Sequence, residues 1–296
     1  MKNNLFHGVT TALITPFSKN GEVDYDGLRQ NVRFQIQNGV RGLLPLGTTG
    51  ETPTLNAVEM EKIVRLVVTE SRTADKETAV LVGVGTNSTQ KTIENAKKAE
   101  AWGADALLVV TPYYNKPTQD GIVAHFTAVA TATSLPIIIY NIKGRTGTNI
   151  ETPTLKQIAA LENVIGVKEA SGDIHQIMDV LTTIPKIAVY SGDDAMTFPL
   201  VCLGGQGVIS VVSNLFPDLV VAMVNQALAG EVEQARQNHF NLLPIFNAAF
   251  VESNPGPIKY AMAQRGLAAG PLRLPLIEMN AANRALLNSV LRQYVQ

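Results

Sequence analysis

The chain lacks several features that mark common protein classes. One cysteine, Cys202, occurs in 296 residues, which excludes an intrachain disulfide framework and a Cys-rich metal site. The 24 basic and 25 acidic residues nearly balance and form no basic stripe or charged tail, so we expect neither nucleic acid nor membrane as a partner. No window of 18 apolar residues and no apolar signal segment at residues 1–7 occur, which predicts a cytoplasmic protein.

Patterns that bind metals or cofactors are also missing. The four histidines are scattered, and no Gly-x-Gly-x-x-Gly follows the first apolar run. Gly47-Thr48-Thr49-Gly50 is not followed by the Lys-Ser/Thr pair of a phosphate loop. Asp193-Asp194 has no second ligand cluster, which favours a helix N-cap over a metal site. We therefore expect no metal and no cofactor.

Short apolar, β-branched runs recur through the first two-thirds of the chain, with segments of helical period between most of them. One of these segments begins with Asn56 and Glu59, the spacing of a capping box. Eight strands alternating with helices predict an α/β fold, a (β/α)8 TIM barrel; an open doubly wound sheet is the alternative. The predicted strands are 9–14, 42–46, 79–84, 106–110, 136–140, 164–167, 187–190 and 208–212.

The C-terminal part of the sequence is helical in pattern and contains no further strand run. Its predicted helices are 219–228, 232–250, 258–264 and 276–294. We therefore predict a catalytic barrel over residues 1–225 and a C-terminal helical region, packed beside the barrel, over residues 226–296.

One apolar run leads directly into a lysine. Val164-Ile165-Gly166-Val167 contains no polar residue and precedes Lys168, which predicts an amine at the C-terminal end of a strand buried on both faces. Parallel α/β folds carry their chemistry at these ends. Partial burial would lower the pKa of the amine and supply a neutral nucleophile. The run alone leaves open a lysine that extends its ammonium group to solvent.

Other polar side chains follow neighbouring predicted strands. The turn Gly47-Thr48-Thr49-Gly50 offers N–H groups and hydroxyls suited to a carboxylate, although an ordinary turn has the same composition. Tyr140 could relay protons or only donate a structural hydrogen bond. Arg145 could bind a carboxylate or lie solvated in its loop. Together with Lys168, this set suggests imine and enamine catalysis on a keto acid.

Four motifs together carry a more specific signal. The chain resembles, over nearly its whole length, the pyruvate-dependent class I aldolase family that includes dihydrodipicolinate synthase and N-acetylneuraminate lyase. The lyases lack an arginine at Gly144-Arg145-Thr146-Gly147, so this segment favours the synthase branch. The shared motifs are Gly47-Thr48-Thr49-Gly50-Glu51, Thr111-Pro112-Tyr113-Tyr114-Asn115, Tyr140-Asn141 and Gly166-Val167-Lys168-Glu169.

The resemblance implies a role for each residue of the catalytic set. Lys168 would form a Schiff base with pyruvate, and Thr48 and Thr49 would hold its carboxylate. Thr49 would also link Tyr140 into a proton relay. Tyr114 would complete that relay from the neighbouring subunit, which implies a homo-oligomer, either a dimer or a dimer of dimers.

The resemblance also implies the binding residues and the second substrate. Arg145 would bind the carboxylate of L-aspartate 4-semialdehyde, and Gly192 and Ile209 would shape the pyruvate pocket. The product would enter the diaminopimelate and lysine pathway. Ile142-Lys143-Gly144 departs from the family pattern before the arginine and adds a charge near the mouth of the site.

A second departure concerns feedback by L-lysine. The lysine-inhibited relatives carry two histidines where this chain has Ala57 and Met60, and a glutamate where it has Lys91. Asn87 and Tyr113 are retained. Because one ammonium group repels another, we predict little or no inhibition by L-lysine.

Two other functions remain as alternatives. A sibling enzyme of the same family would be an N-acetylneuraminate or 2-keto-3-deoxy-sugar-acid lyase, against which Arg145 counts. A catalytically silent barrel would be a binding or regulatory protein, and the presence of Lys168, Tyr140, Thr49 and Tyr114 counts against it.

Overall fold

The computed structural model describes residues 5–74 and 78–294. Eight parallel strands pair in chain order, and the last also pairs with the first, so the sheet closes into a barrel. The predicted TIM barrel is confirmed. The expectation that residues 1–7 contain no apolar signal segment falls partly on residues 1–4, which lie outside the described residues. The strands are β1 Gly8–Ala12, β2 Gly42–Leu44, β3 Ala79–Gly83, β4 Ala106–Val110, β5 Ile137–Asn141, β6 Val164–Glu169, β7 Ala188–Ser191 and β8 Gly207–Ser210.

Helices connect successive strands and surround the barrel. Asn56 and Glu59 form the predicted capping box at the start of α2. Two helices, α5 and α6, separate β5 from β6, and α9 follows β8. The α-helices of the described residues are α1 Tyr25–Gln37, α2 Ala57–Thr73, α3 Thr89–Ala101, α4 Gln119–Thr131, α5 Lys143–Thr146, α6 Thr152–Ala159, α7 Ile174–Thr183, α8 Thr197–Cys202, α9 Pro217–Leu228, α10 Val232–Ala248, α11 Gly256–Gln264 and α12 Ala281–Leu291.

The strands bury both of their faces, which explains why their sequences do not alternate between apolar and polar residues. In β3, Val80 and Val82 pack against the surrounding helices, whereas Ala79 and Leu81 fill the barrel interior. Successive side chains of a strand point to opposite faces, so two separate apolar cores need two interleaved apolar sets. The barrel is therefore a solid support for the loops at its ends.

The last predicted helix begins later than expected. Residues 276–280 are irregular, and α12 starts at Ala281. The Asn280 side chain caps the helix by accepting a hydrogen bond from Asn283 N, and its own backbone N–H donates to the Glu252 carboxylate at 3.0 Å. These two bonds fix the start of the helix.

No helix within the described ranges is long and apolar enough to cross a membrane.

A buried ion pair joins the C-terminal region to the loop after β2. Lys259 of α11 is 2% exposed, and its Nζ atom donates to Glu51 Oε1 at 2.8 Å. The other Glu51 oxygen accepts from Arg273 N at 2.9 Å. Lys259 Nζ also donates to the carbonyl oxygens of Thr15 and Pro271. Because both charges are paired and further hydrogen-bonded, they are tolerated in the interior and lock the turn that contains Glu51.

Candidate active site

A cavity of about 560 Å³ lies at the C-terminal ends of the strands. Six of the eight residues that the sequence analysis predicted for the site line this cavity. They are Thr48, Thr49, Tyr140, Arg145, Lys168 and Gly192. The remaining two, Tyr114 and Ile209, lie elsewhere. The barrel thus brings together residues from β5 and β6 and from the segments that follow β2, β5 and β7, as expected for a site at this end of the fold.

Lys168 lies near the end of β6, where it is paired in register with Tyr140 of β5. Its side chain is 5% exposed, and Nζ lies 4.2 Å from the centroid of the Tyr140 ring. Burial lowers the pKa of this amine to about 7; the nearby Asp194 carboxylate opposes the shift, and the Arg145 guanidinium adds to it. A large fraction of Lys168 is therefore neutral near pH 7 and can act as a nucleophile.

Tyr140 is buried beside the lysine. Burial is the main cause that raises the pKa of its phenol to about 12. The Arg145 guanidinium opposes this shift, and the Asp193 carboxylate adds to it. The phenol therefore keeps its proton at neutral pH. It can donate this proton to an oxygen that forms next to Lys168, and it can take the proton back later.

The turn that carries the two threonines has an irregular backbone held by local bonds. Leu46 and Glu51 adopt positive φ values of 58° and 53°, and Thr48–Gly50 form a 3₁₀ helix between them. The Thr52 hydroxyl donates to Gly47 O at 2.8 Å and closes the turn. This backbone places both threonines on the cavity wall, where their N–H and O–H groups suit an anion.

Asn254 also lines the cavity, although no pattern in the sequence indicates this. Its Nδ2 atom donates to Thr49 Oγ1 at 2.9 Å. In the sequence, Asn254-Pro255-Gly256-Pro257 indicates only a break between two helices. Its position in the site depends on a contact between residues 205 positions apart, and no local pattern records such a contact.

Arg145 belongs to the one-turn helix α5, which ends at Gly147 with φ 72°. The Arg145 side chain is exposed and lines the cavity, whereas Lys143 of the same helix is exposed and is not part of the cavity lining. One cationic group of this helix, the Arg145 guanidinium, therefore faces the cavity. A guanidinium in this position attracts a carboxylate.

Asp193 and Asp194 have different roles. Asp193 caps a short 3₁₀ helix by accepting from Ala195 N, which is the predicted N-cap. Asp194 is buried; its carboxylate accepts from the Ser210 hydroxyl and, at 3.0 Å, from Val211 N. Among residues 5–74 and 78–294, no group of three or more His, Cys, Asp or Glu side chains could hold a metal ion.

Gly192 leaves room for the lysine. A Cβ atom at this position would lie 3.2 Å from Lys168 Cε and 2.7 Å from Ala170 Cβ. Ile209 does not reach the cavity wall; it is buried in the barrel interior, in the same apolar cluster as Tyr140. It therefore supports the base of the site from below.

Tyr114 lies on the surface, away from the cavity of its own chain. It is 89% exposed and adopts a positive φ of 74°, a conformation that is uncommon for a bulky residue. Within the described chain, the site is therefore assembled without this tyrosine.

The chain matches the model of the dihydrodipicolinate synthetase family over residues 5–294. It is 48% identical over 293 residues to a protein named 4-hydroxy-tetrahydrodipicolinate synthase from Protochlamydia amoebophila, covering 98% of this chain and 97% of the relative. A relative of the same name from Methanocaldococcus jannaschii is 46% identical, and the match covers 97% of this chain and 98% of the relative. The crystal structure of dihydrodipicolinate synthase from Thermotoga maritima superimposes with a TM-score of 0.94 at 45% identity, covering 98% of both chains. The resemblance inferred from the motifs is thereby confirmed, and the chain belongs to the dihydrodipicolinate synthetase family.

Proposed function

We propose that this protein is a 4-hydroxy-tetrahydrodipicolinate synthase, a lyase that condenses pyruvate with L-aspartate 4-semialdehyde through a Schiff base on Lys168. The observation that carries the proposal is the buried amine of Lys168, with its pKa lowered to about 7, above the Tyr140 ring in a cavity at the strand ends. The relatives that bear this name match nearly the whole chain.

The reaction begins with the neutral Lys168 amine. It attacks the keto carbon of pyruvate, and the resulting carbinolamine loses one water to form an imine. Tyr140 supplies the proton that the departing hydroxyl needs. Loss of a proton from the methyl carbon then gives an enamine, because the imine accepts the electron pair.

The second half of the reaction joins the substrates and releases the enzyme. The enamine carbon attacks the aldehyde carbon of L-aspartate 4-semialdehyde, and a new C–C bond forms. The amine of this substrate then attacks the imine carbon, closes the ring and expels the Lys168 amine. The single water lost during imine formation balances the overall condensation.

Binding roles follow from the charges and donors around the cavity. Thr48 and Thr49 offer N–H and O–H donors to the pyruvate carboxylate, and Gly192 leaves the space that the substrate and lysine need. Arg145 at the mouth binds the carboxylate of L-aspartate 4-semialdehyde. Ile209 contributes from the barrel interior beneath the site.

We also propose that the active form is a homo-oligomer, either a dimer or a dimer of dimers. Tyr114 is almost fully exposed, in a strained backbone conformation, beside the partly exposed Tyr113. Strain of this kind persists where the surroundings or a function require it. A second copy that receives Tyr114 into its own cavity supplies that requirement.

The small, water-soluble substrates suit the cytoplasmic location expected from the sequence.

The test is the condensation of pyruvate with L-aspartate 4-semialdehyde, coupled to a reductase that consumes the cyclic product. We expect turnover in the wild type and none in a folded Lys168→Ala variant. Borohydride should trap one pyruvate per chain on Lys168. Lys259 is an internal control for labelling, because it is equally buried but pairs with Glu51 outside the cavity and should not be labelled. Cleavage of sugar acids without this condensation would assign the chain to a lyase instead, and no labelling at all would indicate a silent barrel.

A further inference from the structure

The segment between α10 and α11 contributes one buried side chain to the cavity. Asn254 is 5% exposed and donates from Nδ2 to the hydroxyl of Thr49 at 2.9 Å. Its Oδ1 atom is buried and has no hydrogen-bond partner among the described residues. A buried amide oxygen without a partner lowers stability, so a purely structural Asn254 would be a poor choice at this position.

The bond from Asn254 restricts the orientation of the Thr49 hydroxyl. A threonine hydroxyl has one proton and two lone pairs and rotates to suit its partners. The Asn254 donor occupies one lone pair, so the Thr49 proton must point elsewhere. Thr49 lines the same cavity as Tyr140 and Lys168, so a proton directed away from Asn254 can point into that cavity.

We propose that Asn254 is a positioning residue, which fixes the Thr49 hydroxyl as a hydrogen-bond donor toward the reacting groups. The inference rests on the proposed function, because it gives Asn254 a task only if Thr49 takes part in proton transfer. Asn254 acts only through its hydrogen bond to Thr49. A side chain from the C-terminal region thereby determines the orientation of a hydroxyl group in the turn after β2.

The surrounding contacts hold the two residues in place. Two residues beyond Thr49, the carboxylate of Glu51 is bound by Lys259 of α11 and by Arg273 N. The turn that contains Asn254 is closed by a bond from Gly256 N to Ser253 O at 2.9 Å. Both ends of the Asn254–Thr49 bond therefore belong to segments that are fixed independently of it, as an accurate positioning contact requires.

Two substitutions at this position separate positioning from packing. Asn254→Asp keeps the shape but removes the donor, and Asn254→Ala removes both. We expect each to lower kcat about ten- to hundredfold, with a smaller change in KM for pyruvate. Asn31→Ala is the matched control, because Asn31 is equally buried and donates to Ala268 O at 2.7 Å, away from the cavity. It should change kcat by less than about twofold.

The pH dependence gives a readout that a packing role would not produce. Burial raises the pKa of a carboxyl group, and a protonated carboxyl again offers an O–H donor to Thr49. The activity of Asn254→Asp relative to wild type should therefore rise as the pH falls. The relative activity of Asn254→Ala should stay constant over the same range.

A double-variant cycle with Thr49→Val completes the test. If Asn254 acts through Thr49, the combined variant should have nearly the kcat of Thr49→Val alone. Multiplicative losses, or Asn254 variants within about twofold of wild type, would overturn the inference while the proposed function stands. A wild type that neither condenses the substrates nor is labelled by pyruvate and borohydride would overturn both.

Discussion

Lys168 and Tyr140 occupy paired positions on adjacent strands, with the lysine nitrogen 4.2 Å from the centre of the phenol ring. The register of two β-strands therefore determines the relation between the proposed nucleophile and the proposed proton donor, and no flexible loop is involved. Groups on strands are held more accurately than groups on loops. The same burial lowers the pKa of the amine to about 7 and raises that of the phenol to about 12. Near neutral pH, a large fraction of the amine is therefore uncharged while the phenol keeps its proton, and imine formation requires both.

The first prediction concerns the acid limb of the pH profile. The pKa of Lys168 is lowered to about 7, and only the neutral amine attacks, so kcat/KM for pyruvate should fall as the pH drops below that value. Asp194→Asn removes a charge that raises this pKa and should move the limb to lower pH. Arg145→Gln removes a charge that lowers it and should move the limb to higher pH. Shifts in the opposite directions would contradict this account of the site.

The second prediction compares two buried tyrosines of the barrel interior. Tyr140→Phe should lower kcat by about 10²- to 10⁴-fold, the usual contribution of a proton donor, with the fold retained. Tyr190→Phe is the control: Tyr190 lies next to Lys168 on β7, and its buried hydroxyl has no hydrogen-bond partner among the described residues. It should leave both activity and Tm near wild type. Equal losses in the two variants would show that general damage to the barrel is being measured.

The third prediction tests the transfer of Tyr114 between subunits. Lys168→Ala and Tyr114→Phe should each be strongly impaired alone. After mixed refolding, dimers with one chain of each kind contain one intact site, because that site takes its lysine from one chain and its tyrosine from the other. Activity should recover to roughly a quarter of wild type, the statistical share of intact sites. No recovery in mixtures that demonstrably exchange subunits would contradict the transfer of Tyr114 into the site of the partner subunit.

The fourth prediction concerns L-lysine, which should neither inhibit the condensation nor bind measurably in a calorimetric titration. Lys91 lines the same cavity as Met60 and Tyr113, and its ammonium pairs with Glu94 at 3.2 Å. A bound lysine would meet this positive charge. Inhibition at low lysine concentration that Asn87→Ala weakens would contradict the prediction.

The parts of the molecule that depend on local sequence were predictable. Two-sided burial makes each barrel strand a short apolar run, and Lys168 was found because it ends such a run. Asn254 and Lys259 were missed for a different reason. Each lies in a segment whose local pattern describes only a helix or a break, and each acquires its role from a partner more than 200 positions away. The start of α12 was missed because its cap depends on Glu252, in another loop.

The bonds that hold Glu51 also determine when the site can form during protein synthesis. The Lys259 and Arg273 contacts span 208 and 222 residues, so both partners of this carboxylate leave the ribosome after all eight strands of the barrel. Contacts of such separation form late, after local structure has been established. We therefore expect a nascent chain that already contains the whole barrel to carry Lys168 before the Glu51 carboxylate is paired, and to become active only when the C-terminal helices dock.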